Sequence, residues 1–365
     1  MDELVLLQEM LEIYSPSGKE GEIAAYLVTQ MRSLGFCAYQ DAAGNAIGVL
    51  GEGEKEIMLL GHMDTVEGFI PIRLEDGRLY GRGAVDAKGP LATFILAAAR
   101  VGPLPDKRIV VVGAVEEEAH SKGARYLLNS FTPQMAIIGE PTSMQLVNAH
   151  KGIFAFETVL SGLEAHSSAT HIGVSAVLHG AEFITFLASL AEEMREQGPF
   201  GDAFDPPYTT FNIGQVNGGT AVNIIPRECR IIWEFRPIPG LDLAALKARI
   251  EGFTEDQLLP RMRERFPGAG VRTTEFAGAP PLVPREGSAA EALVRRLTGA
   301  NRAGTVSFAT EAGQFAEKDM SAVVIGPGSI DQAHKPDEYV DLEQLAACEE
   351  FLKKLIAWAA ETAPE

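Results

Sequence analysis

Residues 57–66 read IMLLGHMDTV, and the architecture of the chain follows from this run. The four apolar residues Ile57 to Leu60 suit a short strand buried on both faces, as in parallel sheets covered by helices. His62 and Asp64 follow at once, at the C-terminal end of that strand, the side on which open α/β sheets bind their ligands. The pattern recurs: the apolar run Ile109 to Val115 ends in Glu116-Glu117-Glu118, and another apolar stretch leads into Gly139-Glu140-Pro141-Thr142. Between the first two runs, Pro90 sits where a first helical turn tolerates it, and Leu91, Phe94, Ile95 and Ala98 fall at i, i+3, i+4 and i+7. Strands alternating with helices predict an α/β domain built on a parallel or mixed sheet.

Outward from this centre, Glu3 to Ile13 and Gly21 to Leu34 read as amphipathic helices separated by Ser15-Pro16-Ser17-Gly18. The texture changes near Gly152. Phe154 to Leu160 reads as a strand and Val174 to Met194 as a long helix. Cys229, Ile231, Trp233 and Phe235 alternate with Arg230, Ile232, Glu234 and Arg236, which predicts a sheet buried on one face. Strand, helix, strand and helix to about Phe266 predict a small α+β domain over residues 152–266, inserted between segments 1–151 and 267–365. Ser288 to Glu291 reads as a capping box, Ala322 to Ile325 as a buried strand, and Asp341 with Gln344 as the start of the last helix.

At 365 residues, two domains are the natural expectation. Fifty acidic against thirty-one basic residues give a net charge of -19, which argues against nucleic acid as a partner. The start MDELVLLQEM is acidic and amphipathic, unlike a secretory leader, and the apolar stretches are too short for a bilayer. The expectation is a soluble cytoplasmic protein with no membrane partner. Cys37, Cys229 and Cys348 are too few and too scattered for a disulfide framework or a thiolate zinc site, so any metal must be held by His, Asp and Glu.

Each acidic or imidazole group admits two readings. His62 with Asp64 is a metal ligand whose tautomer a carboxylate fixes, or a surface histidine beside a turn aspartate. Asp86, in GRGAVDAKGP (81–90), is a helix N-cap or a carboxylate able to bridge two cations. The three glutamates 116–118 are a solvated turn, or a ligand next to a proton acceptor. Glu140 and His334, the latter in GPGSIDQAHKPDEYV (326–340), would complete a mixed oxygen and nitrogen set of the kind zinc, cobalt or manganese favours.

GHMDTV, GRGAVDAKGP, the triple glutamate, GEPT and GPGSIDQAHKPDEYV resemble, in order and spacing, the M20 metallopeptidase and deacylase family over nearly the whole chain. That resemblance implies a mixed-sheet, zinc-peptidase-like catalytic domain with an inserted lid and dimerisation domain, two zinc or cobalt ions per chain, and amide hydrolysis. It implies that His62, Asp86 and Glu140 hold one metal and Asp86, Glu118 and His334 the other, with Asp64 orienting His62. Glu117 would be the general base, although Glu116-Glu117-Glu118-Ala119-His120 departs from the usual family run and leaves Glu116 as the alternative. In GLEAHSS (162–168), His166 resembles the lid histidine that dimeric relatives insert into a partner's site, and Asn223 and Arg236 resemble substrate-contacting lid positions; without the resemblance, His166 would read as a capping or core histidine. GPGSIDQAHKPDEYV and TEAGQF (310–315) resemble most the branch that includes acetylornithine deacetylase and the hydrolases freeing lysine or ornithine from an amino-group carrier protein. The expected substrate is therefore an N-acyl diamino acid, first of all lysine in γ-glutamyl linkage to a carrier. Succinyl-diaminopimelate desuccinylase, a broad dipeptidase or carboxypeptidase, and a non-catalytic binding protein are the alternatives. Arg261, Arg263 and Arg265 are candidates for docking an acidic carrier.

Overall fold

A computed structural model describes residues 2–102 and 104–361. Met1, Pro103 and residues 362–365, which the expected segments 1–151 and 267–365 include, lie outside the described residues. The chain divides into two compact units, Met1–His150 with Leu282–Val306 and Thr310–Glu365, and Lys151–Pro281 with Ser307–Ala309.

The first unit is built on a mixed eight-stranded sheet. In spatial order its strands are Cys37–Gln40, Ala46–Leu50, Lys107–Ala114, Lys55–His62, Met135–Ile138, Ala322–Val324, Val147–His150 and Gly304–Val306. Both faces are covered, so alternate residues of one strand enter different cores. Ile57, Leu59, Ile109 and Val111 face one cluster with Leu27, Phe94 and Leu352, whereas Met58, Leu60, Val110 and Val112 face another with Leu127 and Phe315. This is why the strands read as unbroken apolar runs. Helix Lys88–Ala99 packs against helices Glu3–Glu12 and Leu342–Ala360, and every residue from Lys88 to Ala98 is buried, a central helix that is apolar nearly all round.

Two expected helix starts differ in detail. Ser288 Oγ accepts from Glu291 N at 3.2 Å, but the Glu291 carboxylate turns to Asn148 and Arg295 instead of closing a capping box. At the last helix, Asp341 makes no capping bond; it takes Arg78 at 3.0 Å, while Gln344 accepts from Gly328 N at 3.1 Å. Glu291 is drawn off by an i+4 arginine of its own helix and by distant Asn148, and Asp341 by distant Arg78.

The second unit is a four-stranded antiparallel sheet in the order Thr210–Gly218, Glu228–Arg236, Ile153–Ser161, Gly270–Ala279. Its buried face carries Phe156, Leu160, Cys229, Ile231, Trp233 and Phe235 against helix Ala176–Gln197 and Leu246 and Ile250 of helix Leu243–Gly252. The unit runs past the expected boundary at 266 to Pro281, because Gly270–Ala279 pairs along the full length of Ile153–Ser161. That strand and Thr210–Gly218 flank the sheet and are largely exposed, so neither carries the apolar alternation by which a strand is read from sequence. No helix among the described residues is long and apolar enough to cross a membrane.

Phe94 is fully buried in the larger core. Phe94→Ala is expected to cost about 3–5 kcal/mol of stability, read as a lowered urea midpoint with an unchanged slope.

Candidate metal centre

Lys107–Ala114, Lys55–His62, Met135–Ile138 and Ala322–Val324 are successive parallel neighbours, so their C-terminal ends meet along one edge of the sheet. His62 closes the second of these strands, Glu116 to Glu118 follow the first, and Glu140 follows the third. His334 arrives from the loop beyond the fourth. Gly326 in that loop lies so close to the third strand's exit that a Cβ there would sit 2.5 Å from the Glu140 carbonyl oxygen. Asp86 enters from the turn before helix Lys88–Ala99. It is not the cap of that helix, whose N-cap is Ala87. Glu338 holds the turn instead: its Oε1 accepts from Val85 N at 3.1 Å and Asp86 N at 3.3 Å, and its Oε2 accepts from Arg82 at 2.8 Å.

Asp86 lies between two histidines. Its Oδ1 is 3.0 Å from His62 Nε2 and its Oδ2 is 3.3 Å from His334 Nε2. Glu140 Oε1 is 3.8 Å from His62 Nε2, and Glu118 lies 3.0 Å from His334 Nε2. The structure thus assembles His62, Asp86 and Glu140 on one side and Asp86, Glu118 and His334 on the other, each set with donor atoms within 4.8 Å of one another. Two nitrogen donors and three carboxylates, one of them facing both ways, suit a pair of divalent cations. Glu140 Oε1 is buried without a hydrogen-bond partner, the condition of a ligand atom lacking its ion.

Asp64 organises the set. His62 Nδ1 lies 2.9 Å from the Asp64 carbonyl oxygen, which can only accept, so Nδ1 carries a proton; Nε2 faces Asp86 and Glu140, donates to Asp86 here, and would offer its lone pair to a cation that displaces that second proton. The Asp64 side chain is fully buried and accepts from Ser17 Oγ at 2.7 Å and from the backbone N–H groups of Glu117 and Glu118 at 3.1 Å each. One carboxylate therefore fixes the acidic turn against the histidine strand. Glu116 points elsewhere, to His120 and Lys122 at 3.1 Å each, whereas Glu117 lies within 4.8 Å of Glu140 and Glu311.

Burial pushes the carboxyls of Glu117 and Glu140 well above the usual range, and the charge of Glu311 adds to the shift at Glu117. Burial also opposes ionisation of Asp86, but hydrogen bonds from His334 and His62 hold it far below its ordinary value. His334 is raised to about 10 by Asp86 and Glu118. Glu311 was not among the residues expected here. It directly precedes helix Ala312–Glu317, follows no long apolar run and reads as an ordinary helix-start acid, yet it is fully buried and pushed up to about 7 by that burial. Its only signal in the sequence is a lone acid in the run SFATEAGQF (307–315).

In the second unit, His166 and Asn223 are exposed neighbours: His166 bridges to Ile224, and Ser167 N donates to the Asn223 carbonyl at 2.9 Å. Arg236, bonded to Glu234 at 3.0 Å, ends strand Glu228–Arg236, roughly 25 Å along the sheet from that pair at a strand rise of about 3.3 Å per residue. Arg261 pairs with Glu182, Arg263 donates to the Ala269 carbonyl and Arg265 to the Thr170 carbonyl, so none of the three candidate docking arginines stands free.

The profile of peptidase family M20/M25/M40 matches residues 58–358, and the chain belongs to that family. It is 34% identical over 353 residues to an acetylornithine deacetylase of Myxococcus xanthus, covering 91% of this chain and 90% of that one. Its fold matches a tripeptidase of Staphylococcus aureus with a TM-score of 0.76 at 22% identity, over 98% of each chain. It also matches a dinuclear metal binding peptidase of Bacillus subtilis with a TM-score of 0.70 at 14% identity, over 99% of this chain and 98% of that one. The protein is a metal-dependent hydrolase of this α/β family.

Two outcomes are expected of the centre. Asp64→Ala should weaken metal binding by about 10–100-fold, read by calorimetric titration, because the carboxylate 3.4 Å from His62 Nδ1 and the anchor of the acidic turn are lost together, although the backbone carbonyl that fixes the tautomer remains. Metal uptake should release protons: His334 keeps its proton up to about pH 10 through Asp86 and Glu118, so metal must displace it and affinity should rise with pH. Titrations in buffers of different ionisation enthalpy would count the protons released.

Proposed function

We propose that this chain hydrolyses the amide of an N-acyl diamino acid, releasing lysine or ornithine from a γ-glutamyl linkage on an amino-group carrier protein, with N2-acetylornithine as the rival substrate. The observation that carries the hydrolytic reading is Asp86 set between two histidine-carboxylate sets with Glu117 beside them. Two zinc or cobalt ions held there, by His62, Asp86 and Glu140 and by Asp86, Glu118 and His334, would acidify a water and polarise the scissile carbonyl.

The chain's own groups supply the rest. Glu117, its backbone fixed by Asp64 and its carboxyl raised by burial, takes the proton of the attacking water and hands it to the leaving nitrogen. His166 would act as an oxyanion donor. Its Nδ1 accepts from Ser168 N at 3.2 Å, which leaves Nε2 as the ring nitrogen that donates, as that role needs. Asn223 beside it would be the second polar group of the same end of the lid. Arg236, at the other end of that sheet, suits a substrate carboxylate. Their separation within one unit supports a homodimer in which one copy supplies His166 and Asn223 and the other Arg236.

Support for a diamino acid comes from the acetylornithine deacetylase relative and from the excess of carboxylates in the centre. The carrier-linked form rests on the motif resemblance and the short, undecorated inserted segment, and it would place the enzyme in lysine or ornithine synthesis in the cytoplasm. The test is amine release by zinc- or cobalt-loaded protein from N2-acetylornithine, N-succinyl-diaminopimelate and lysine linked to a carrier or its C-terminal glutamyl peptide. Lysine release from the carrier alone supports the first reading, turnover of N2-acetylornithine alone the second, and inertness toward all three leaves a peptidase. Glu117→Gln should keep two metals per chain and lower kcat by about 10²–10⁴-fold, whereas Glu116→Gln should stay within a few fold of wild type.

A further inference from the structure

Glu311 takes no part in the roles assigned above. It is fully buried, and neither of its carboxyl oxygens has a hydrogen-bond partner. Gln314, three residues on and therefore on the same face of helix Ala312–Glu317, is 3% exposed, and neither of its amide atoms is partnered. Four buried polar atoms on one helical turn are thus unsatisfied. Each such group costs about 1–3 kcal/mol, and more when charged, which points to a ligand that completes them. The turn is not free to move aside. Thr310 bonds His150 Nε2 at 3.0 Å through its hydroxyl, which also accepts from Ala312 N at 3.1 Å.

The charge of the neighbourhood says what the ligand is. Asp64, Asp86, Glu117, Glu118, Glu140 and Glu311 are six carboxylates, against four positive charges on two divalent cations. Lys88, buried beside Asp64, offsets one of these charges, but its ammonium is taken by the Met10 and Ile13 carbonyls and the Glu311 oxygens have no partner, so what they lack is a cation with hydrogens to donate. Distance admits a diamino acid. A Glu311 oxygen lies within 4.8 Å of a Glu117 oxygen. A scissile nitrogen in hydrogen-bond reach of Glu117 and an ammonium in reach of Glu311 can then lie up to about 10 Å apart. The four- or five-carbon tether between the two nitrogens of ornithine or lysine spans about 6–8 Å when extended.

We infer that Glu311, with Gln314, receives the free side-chain ammonium of the diamino acid and so selects a cationic leaving group over an apolar one of equal length. This rests on the diamino-acid reading above and names the residues that would enforce it.

The test compares kcat/KM for N2-acetylornithine with N-acetylnorleucine, and for γ-glutamyl-linked lysine with γ-glutamyl-linked 2-aminoheptanoate, each apolar partner carrying a methyl in place of the ammonium. Wild type is expected to prefer the cationic member of each pair it hydrolyses by about 10²–10⁴-fold. Glu311→Gln should cut kcat/KM for the cationic substrate about 100-fold, mostly through KM, and that for the apolar one less than about 10-fold, with two metals still bound. Glu311→Asp should recover part of the preference, which keeps the test open if the amide variant folds poorly. Equal losses on both substrates, a wild type indifferent to the charge, or a third metal lost with Glu311 would each overturn the inference while leaving the proposed reaction standing. Wild type inert toward both diamino substrates would remove the two together.

Discussion

The contacts of Asp64 are the constraint on which the centre depends. This carboxylate is fully buried in the sheet edge and reaches three segments: Ser17 from the N-terminal turn, His62 of its own strand, and the backbone of Glu117 and Glu118 after the neighbouring strand. A buried carboxylate is tolerated only when its oxygens are well supplied with donors, and here the donors are the groups that must be held still. Satisfying Asp64 and positioning the ligands are one event. Loss of that carboxylate would free the acidic turn and remove one of the two Asp64 oxygens beside the imidazole.

The surrounding charge would not hold together by itself. Six carboxylates crowd the ends of four parallel strands; backbone N–H groups hold Asp64 there and histidines hold Asp86 and Glu118, while the Glu311 oxygens have no partner. Glu338 does for the Asp86 turn what Asp64 does for the glutamates. With no cation, protons take up the strain, as the raised carboxyls of Glu117, Glu140 and Glu311 and the raised His334 show. Cation binding then stabilises the fold that repulsion weakens, so metal affinity, pH and stability are linked through the same groups.

The second unit obeys a simpler rule. Its sheet buries one face under helices, so Cys229, Ile231, Trp233 and Phe235 point inward and their neighbours outward. Its functional candidates sit in turns and at strand ends, where backbone geometry sets them and core packing does not. That is why His166 and Asn223 come together while Arg236 stands at the opposite end of the sheet.

Much of this was legible in the chain alone. Apolar runs ending in His62, Glu116 to Glu118 and Glu140 gave the strands and the placement of those groups, because a strand buried on both faces announces itself by composition and its C-terminal end is where a sheet exposes ligands. What needed the tertiary structure was whatever depends on partners distant in sequence. Strands Thr210–Gly218 and Gly270–Ala279 flank their sheet and lack a buried face to mark them, so the inserted unit ends at Pro281 rather than 266. Glu116 differs from Glu117 only in where each side chain points, one to His120 and Lys122, the other inward, and no local pattern encodes that direction. Glu311 is the clearest case, since one acid at a helix start is solvated in most proteins, and only the approach of Glu117 and Glu140 from two other strand ends turns it into a buried, unpaired charge. Local sequence specifies which groups a segment can offer; the convergence of segments far apart in the chain decides which of them meet, and electrostatics acts on the groups that meet.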